Sequence, residues 1–383
     1  MFEKALRGGI KYWSAVLVLA LVILVGFIFY LNQLHEGLAV TGMSRDVSWG
    51  FYIAQFTFFV GVAASAVTVV LPYYLHDYKV FSRITILGEF LAISSVIVCL
   101  TFIFVDMGMP FRLFNVFLHP APSSPMFWDT VVLSGYLILN LLIGWVTLGA
   151  ERKKTAPPSW IRPFIYLSIP WAISIHTVTA FIYAGLPGRH LWLSAIIAAR
   201  FLASAFASGP ALLVLFCLFM ERYTGFKPGR GPVKALLVIV TYAFSANIFF
   251  ILLELFTTFY SGIPAATHPL VYLFMGLHGF KELVPVMWVS VVLAIISLIL
   301  LLVPSFRERT FFSIFAAVGV ILSIWIDKGF GFVPAGFIPN PMNRITEYSP
   351  TMTELTISAG VFAIGLLILL VLYKIAISVR EEV

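Results

Sequence analysis

Charge is scarce in this chain. Only 11% of its 383 residues are Asp, Glu, Lys or Arg, against 61% that are hydrophobic. Soluble globular proteins carry roughly 25% charged residues, so that class is excluded. Cysteine is scarcer still. Cys99 and Cys217 both fall in apolar runs; two are too few for an iron–sulfur cluster, which takes about four thiolates, and they read as small buried hydrophobes. The seven histidines are scattered and only His176 is central to an apolar run, so the matched pair that a membrane haem requires is missing. No HExxH, paired CxxC or Walker glycine loop occurs, which leaves metal-dependent proteolysis and nucleotide hydrolysis without support. Strand-like alternation is absent too, which excludes a β-barrel.

Long apolar runs are present instead. A membrane span needs about 20 mostly apolar residues, and ten runs meet that length: 12–34, 49–76, 83–106, 127–150, 161–186, 190–221, 233–260, 282–304, 310–327 and 353–378. The chain therefore reads as an all-α integral membrane protein, one polytopic domain over 1–383. The first run follows Lys4, Arg7 and Lys11 but exceeds the 7 to 15 residues of a signal core, so it reads as a retained anchor.

Lys and Arg divide unevenly between the two sides. Seventeen fall on the side of the termini and six (Arg45, Arg112, Arg189, Lys281, Lys328, Arg344) on the other, with Arg200 inside a run. Cytoplasmic loops retain positive charge, so a multi-pass protein of the cell membrane with both termini cytoplasmic is expected. The same excess accounts for the net charge of +7 without any nucleic acid, through topology and anionic lipid. The longer connections, 35–48, 107–126, 261–281 and 328–352, lie on the outer side and are rich in proline and aromatics. They read either as a docking platform or as caps over the helices.

Ionisable groups inside hydrocarbon are costly and tend to be functional. A rise of about 1.5 Å per residue converts position to depth. It places Asp106, Asp129, Glu254 and Asp327 toward the outer side, Glu89 in the cytoplasmic third, and His176 and Arg200 each about 15 Å from the turn 186–190, where those two would meet. An imidazole at that depth suits proton exchange, since histidine titrates near neutral pH. For each acid alone, a structural pair or a helix-end role is the ordinary alternative. On the second run, Tyr52, Gln55, Thr57 and Gly61 lie along the outer half, followed by Ala63, Ala64 and Ala66. Small residues bring helices close; beside polar groups they would also leave a slot for a flat ring.

The order of motifs resembles the NrfD, or polysulfide reductase membrane-subunit, family. Trp49-Gly50 opens the second run, Glu89 lies in the third, Asp106-Met107-Gly108-Met109-Pro110-Phe111-Arg112 follows it, Trp128-Asp129 opens the fourth, Ser174-Ile175-His176-Thr177 lies in the fifth, and Pro187-Gly188 precedes Trp192. The ten-run length resembles the branch that serves alternative complex III, the Hmc complex and the sulfite-reductase-associated DsrMKJOP complex. The resemblance implies two four-helix bundles, 49–186 and 190–327, with 12–34 and 353–378 flanking them. It implies a subunit without haem or iron–sulfur cluster of its own, exchanging electrons between menaquinone, bound as substrate, and a ferredoxin-like iron–sulfur partner on the outer face. Further subunits including cytochromes, proton translocation and a link to sulfate or sulfite respiration are expected with it. His176, Asp106, Asp129 and Glu89 match the family's quinone or proton positions. Tyr52, Gln55, Thr57, Gly61, Arg112 and Tyr136 are expected to contact quinone, and Arg200, Glu254 and Asp327 to lie on a proton path. Two readings from other classes compete. One is a proton- or ion-coupled transporter, with Pro170 and Pro210 as its broken-helix candidates; the other is a purely structural anchor.

Overall fold

The computed structural model describes residues 2–381. Ten helices in it are long and apolar enough to cross a membrane. We number them α1 (Ile10–Glu36), α2 (Phe51–Leu75), α3 (Thr85–Asp106), α4 (Pro125–Arg152), α5 (Arg162–Ala184), α6 (Ile197–Tyr223), α7 (Arg230–Ser261), α8 (Val284–Leu302), α9 (Thr310–Ala335) and α10 (Met352–Glu381). No strand occurs among the described residues. Ten crossings return the chain to its starting side, where Lys4 Nζ donates to Ser378 O at 3.1 Å and the Arg380 guanidinium pairs with Glu151 at 3.0 and 3.1 Å. The opposite face carries the long connections and is called the loop face below.

Helix adjacency follows from which faces are small or polar. α2 packs on α3, α3 on α4, α4 on α5 and α5 back on α2, while α6 packs on α7, α7 on α8, α8 on α9 and α9 back on α6. The two sets meet where α2 lies against α6 and α9 and where α5 lies against α6. Because lipid is as apolar as leucine, close approach rather than hydrophobicity favours such contacts. A Cβ on Gly209 of α6 would sit 3.1 Å from the Ser65 amide, and one on Gly88 of α3 would sit 2.7 Å from Val69. α2 is accordingly buried almost throughout, whereas α1 buries only Gly26, which meets Gly360 of α10, and Tyr30 and Gln33, which reach α3.

Two helices depart from regular geometry, and they touch each other. α2 breaks at Ala64, whose amide reaches Gly61 O instead of continuing the α pattern, and α9 contains a π-helical segment, Trp325–Gly331. That segment packs on α2, where a Cβ on Gly329 would lie 2.8 Å from Ala54 O. The expected end of the ninth run at residue 327 is therefore corrected: the span continues to Ala335. Lys328, counted as an outer-loop cation, lies inside it and is buried, which leaves five cations on the loop side. Pro170 and Pro210 break nothing, since α5 and α6 run through them.

A carboxylate fastens the loop face. Thr351 and Glu354 form a capping box at the start of α10, with Glu354 N on Thr351 Oγ1 at 3.3 Å and Thr351 N on Glu354 Oε2 at 2.9 Å. Glu354 also accepts from Gly42 N at 2.7 Å and from Tyr348 Oη at 2.5 Å, and Tyr348 Oη accepts from Phe51 N at 2.7 Å. Gly50 is required beside it, because a Cβ there would lie 2.5 Å from that phenol oxygen. Glu354→Ala strands the amides of Gly42 and Thr351 and the hydroxyl of Tyr348, each worth about 1–3 kcal/mol where buried. The expected cost is about 3 kcal/mol in detergent-micelle unfolding; a loss under about 1 kcal/mol would show that the loops hold without it.

Candidate functional site

Where α1, α2 and α3 converge beneath the loop face, helix ends supply unpaired carbonyls. Gln33 of α1 satisfies one of them, donating through Nε2 to Val105 O at 2.7 Å, and accepts at Oε1 from Tyr52 Oη at 2.7 Å. Asp106, the next residue, ends α3 with its Oδ1 buried and without a hydrogen-bond partner. Tyr52 and Asp106 both lie within electrostatic reach of Glu354. Tyr52 thus has a structural partner, and Asp106 keeps a free acceptor.

One level deeper, α2, α4 and α5 bring together Thr57, Asp129, His176, Thr179 and Tyr183. Thr57 Oγ1 donates to Ile53 O at 2.7 Å and shares a short hydrogen bond with Tyr183 Oη. Thr179 Oγ1 lies 2.7 Å from Asp129 Oδ1 and 2.8 Å from Ile175 O. Its single proton serves either acceptor. With Asp129 ionised the hydroxyl donates to the carboxylate; with Asp129 protonated it turns to Ile175 O and accepts instead. The pair is thus compatible with both protonation states of Asp129. His176 shares the α5 face of Thr179 and Tyr183 by the i, i+3, i+7 rule. It is fully buried, with neither ring nitrogen hydrogen-bonded. On α2, Gln55 accepts from Trp325 Nε1 at 2.6 Å while its Nε2 is buried without a partner. Gly61 faces Lys328, Ser208 and Ala205, each within about 3.5 Å of where its Cβ would be.

Toward the termini, α4 carries Asp129, Tyr136, Asn140, Gly144, Thr147 and Glu151 along one face, spaced by three, four or seven residues. Asn140 Nδ2 donates to Tyr136 O at 2.8 Å. Glu89 of α3 is buried against this face, with Oε2 about 3.5 Å from the position of a Gly144 Cβ and without a hydrogen-bond partner. Tyr136 and Tyr74 both interact electrostatically with Glu89. Tyr136 therefore belongs with Glu89 rather than with Tyr52 and Thr57. Arg112 lies on the exposed turn Pro110–Phe114, apart from all of these groups.

The expected meeting of His176 and Arg200 does not occur. Arg200 Nη1 bonds Glu254 Oε2 at 2.5 Å, and its Nη2 bonds Asp327 at 2.7 and 2.8 Å. The reason is the π segment, which carries Asp327 inward to face α6 instead of leaving it at the outer edge. The outer acids consequently separate: Asp106 and Asp129 belong to the α2–α5 side, Glu254 and Asp327 to the α6–α9 side. Beside the arginine cluster, Leu191, Leu270, Met287 and Phe332 help line a cavity of about 20 Å³, room for about one water. Above it, Trp49, Tyr183, Trp192, Phe332 and Phe337 pack ring on ring between the two sets of helices.

Four residues at the centre of these networks were not expected: Lys328, Glu354, Thr179 and Tyr183. Lys328 was legible in part, because Phe330, Phe332 and Val333 continue the apolar run past it. Glu354 carried a signature as well, the Thr351-x-x-Glu354 box. On the loop face, Asp46 accepts from Asn340 Nδ2 at 3.1 Å and Thr346 Oγ1 at 3.0 Å, and these bonds hold its carboxyl below the usual range. Among the described residues, no three or more His, Cys, Asp or Glu side chains gather closely enough to hold a metal ion.

Comparison with known proteins points one way. The family model described as polysulphide reductase, NrfD matches residues 39–335, from the loop after α1 to the end of α9. A protein of Halobacterium salinarum, provisionally named as a membrane subunit of dimethyl sulfoxide reductase, is 27% identical over 92% of this chain and 88% of its own length. A selenate reductase subunit of Mesobacillus selenatarsenatis is 23% identical over 92% of this chain and 91% of its own. An Hdr-like menaquinol oxidoreductase integral membrane subunit of Archaeoglobus fulgidus is 28% identical over 58% of this chain and 54% of its own.

Proposed function

This chain belongs to the NrfD polysulphide reductase family, and from that premise we propose that it is the quinone-reactive membrane subunit of a multi-subunit oxidoreductase. The three relatives are named as a membrane subunit of a dimethyl sulfoxide reductase, a subunit of a selenate reductase and an integral membrane subunit of a menaquinol oxidoreductase. All three names describe subunits of oxidoreductases, two of them membrane subunits, and the third name gives menaquinol as what that oxidoreductase acts on. We assign menaquinone as the substrate and an iron–sulfur subunit on the loop face as the electron partner. We take that face as extracytoplasmic, because positive charge collects on the other. Sulfite respiration as the setting rests on the motif resemblance.

One observation carries the reading: the α2–α5 side holds buried hydrogen-bonding atoms without protein partners at His176, Asp106 and Gln55. Buried polar groups are nearly always satisfied, so a set left open on neighbouring helices calls for a ligand or water. Donors and acceptors of this kind are what the two carbonyls of a quinone ring would bind. When bound, the quinone supplies two-electron, two-proton chemistry. His176 takes or returns one proton through a ring nitrogen, and Asp129, with Thr179 adapting to either state, holds the other. Tyr52 and Thr57 shape the slot along α2. From Asp129, the α4 face through Tyr136 and Asn140 to Glu89 and Glu151 offers protons a route toward the termini.

The test is turnover by the assembled complex in liposomes supplied with menadiol or a short-tailed ubiquinol. Oxidation of menadiol, blocked by a quinone-site inhibitor, is expected. Absence of turnover with both quinols in a complex whose partner subunits are active would overturn the assignment.

A further inference from the structure

Lys328 has no place in the chemistry so far, and folding does not explain it. It is 3% exposed, and its Nζ makes no hydrogen bond. The face of the Phe201 ring offsets part of the cost, yet a buried ammonium with no hydrogen-bonded counter-ion is more costly than an apolar side chain of similar volume. The residue stands in the π segment of α9, and such turns concentrate at functional sites. The segment points two adjacent charges in different directions. Asp327 goes to Arg200 on the α6–α9 side, while Lys328 runs along α2, its Nζ 4.2 Å from the Phe201 ring centroid and 3.4 Å from where a Gly61 Cβ would be. Gly61 is thus what leaves the ammonium room, in place of the slot for a ring.

The groups within electrostatic reach of Lys328 come from four helices: Cys99 on α3, His176 on α5, Arg200 on α6 and Asp327 beside it on α9. The stretch of α2 that it lies along, Ala54 to Gly61, contributes no titratable side chain. Lysine sits on a flexible four-carbon stem and gives up its proton readily when buried, which arginine does not. It therefore interacts electrostatically with both the one buried imidazole and the Arg200–Asp327 pair, beside which a small cavity admits about one water.

We propose that Lys328 is a proton carrier joining the two sets of helices, taking from His176 the proton that quinol oxidation leaves there and passing it to the Arg200–Glu254–Asp327 side. In the forward step an N–H bond at an imidazole nitrogen breaks and an N–H bond forms at Nζ of the neutral amine. No electron moves, and the positive charge shifts from α5 to α9. The ammonium then gives its proton to water entering beside Asp327, which carries it away as hydronium. This rests on the quinone reading, since His176 is the group assigned to serve the quinone.

The experiment uses the assembled complex in liposomes, following quinol oxidation and proton release with a pH-sensitive dye on the loop-face side, with Lys328→Met and Lys328→Arg as variants. Loss of proton release per electron on that side is expected in both, because arginine keeps the charge but stays protonated and takes no proton from His176. Lys328→Met is expected to assemble and to melt at or above the wild-type temperature. Recovery of release in Lys328→Arg would show that only the charge matters, and wild-type release in Lys328→Met would show that the residue is idle; either overturns the proposal. So does failure of the methionine variant to assemble, which would make the ammonium structural. A wild-type complex that oxidises quinol without releasing protons on the loop-face side sinks the proposal and leaves the quinone reading intact. A wild-type complex that oxidises no quinol ends both.

Discussion

His176→Leu is expected to assemble normally and to lose quinol turnover on the order of 10²-fold or more, the usual contribution of a positioned acid–base group. The two halves of that expectation have different causes. Assembly is spared because neither ring nitrogen makes a protein hydrogen bond, so leucine removes no partner and relieves a buried polar group. Turnover falls because Asp129, assigned the second proton, is then left as the acceptor for both. His176→Gln separates hydrogen bonding from proton transfer, since an amide donates and accepts but does not titrate. It should restore binding of a quinol analogue without restoring turnover. Near-wild-type turnover in the leucine variant would remove His176 from the chemistry and shift the burden to Asp106 and Asp129.

The sequence disclosed the spans because apolar length is a local property. It disclosed the buried acids because each interrupts such a run. It did not disclose partnerships, which depend on how helices rotate against one another. Arg200 and His176 are matched in depth, yet rotation about α6 and the π turn of α9 send Arg200 to Glu254 and Asp327. The π turn itself left only an indirect trace, in Gly329 and Gly331 on either side of a phenylalanine. A lysine next to an aspartate at the end of a hydrophobic run reads as a stop; here the run continues to Ala335. The small residues of α2 were legible as small but not in purpose. Ser65 and its neighbours take α3 and α6 in close contact, while Gly61 makes space for a side chain from α9. The shared α4 face from Asp129 to Glu151 was readable by spacing alone, and only the packing of Glu89 against Gly144 gives it a second wall.

Arg200→Met is expected to be the most destabilising single change, costing about 3–5 kcal/mol. The methionine matches the volume of the arginine stem, so the loss reports charge rather than packing. It leaves Glu254 and Asp327, whose side chains are 10% and 15% exposed, facing each other without a cation between them. A fully solvated pair would hardly register; this one is sheltered by Leu255, Met287 and Phe332. The sharper result comes from adding Asp327→Asn to the same variant. One carboxylate then remains on the α6–α9 side, and Lys328 stands near enough to Asp327 and Arg200 to feel the charge there. The added asparagine should recover a substantial part of the loss, since it removes one of the two carboxylates left facing each other and returns the set to one anion, Glu254, and one cation, Lys328. Coupling of about 1–3 kcal/mol between the two substitutions is expected in a double-mutant cycle followed by unfolding in detergent micelles. Additive effects would mean that Arg200 and Asp327 share no interaction energy, and would break up the cluster that is proposed to take the proton from Lys328.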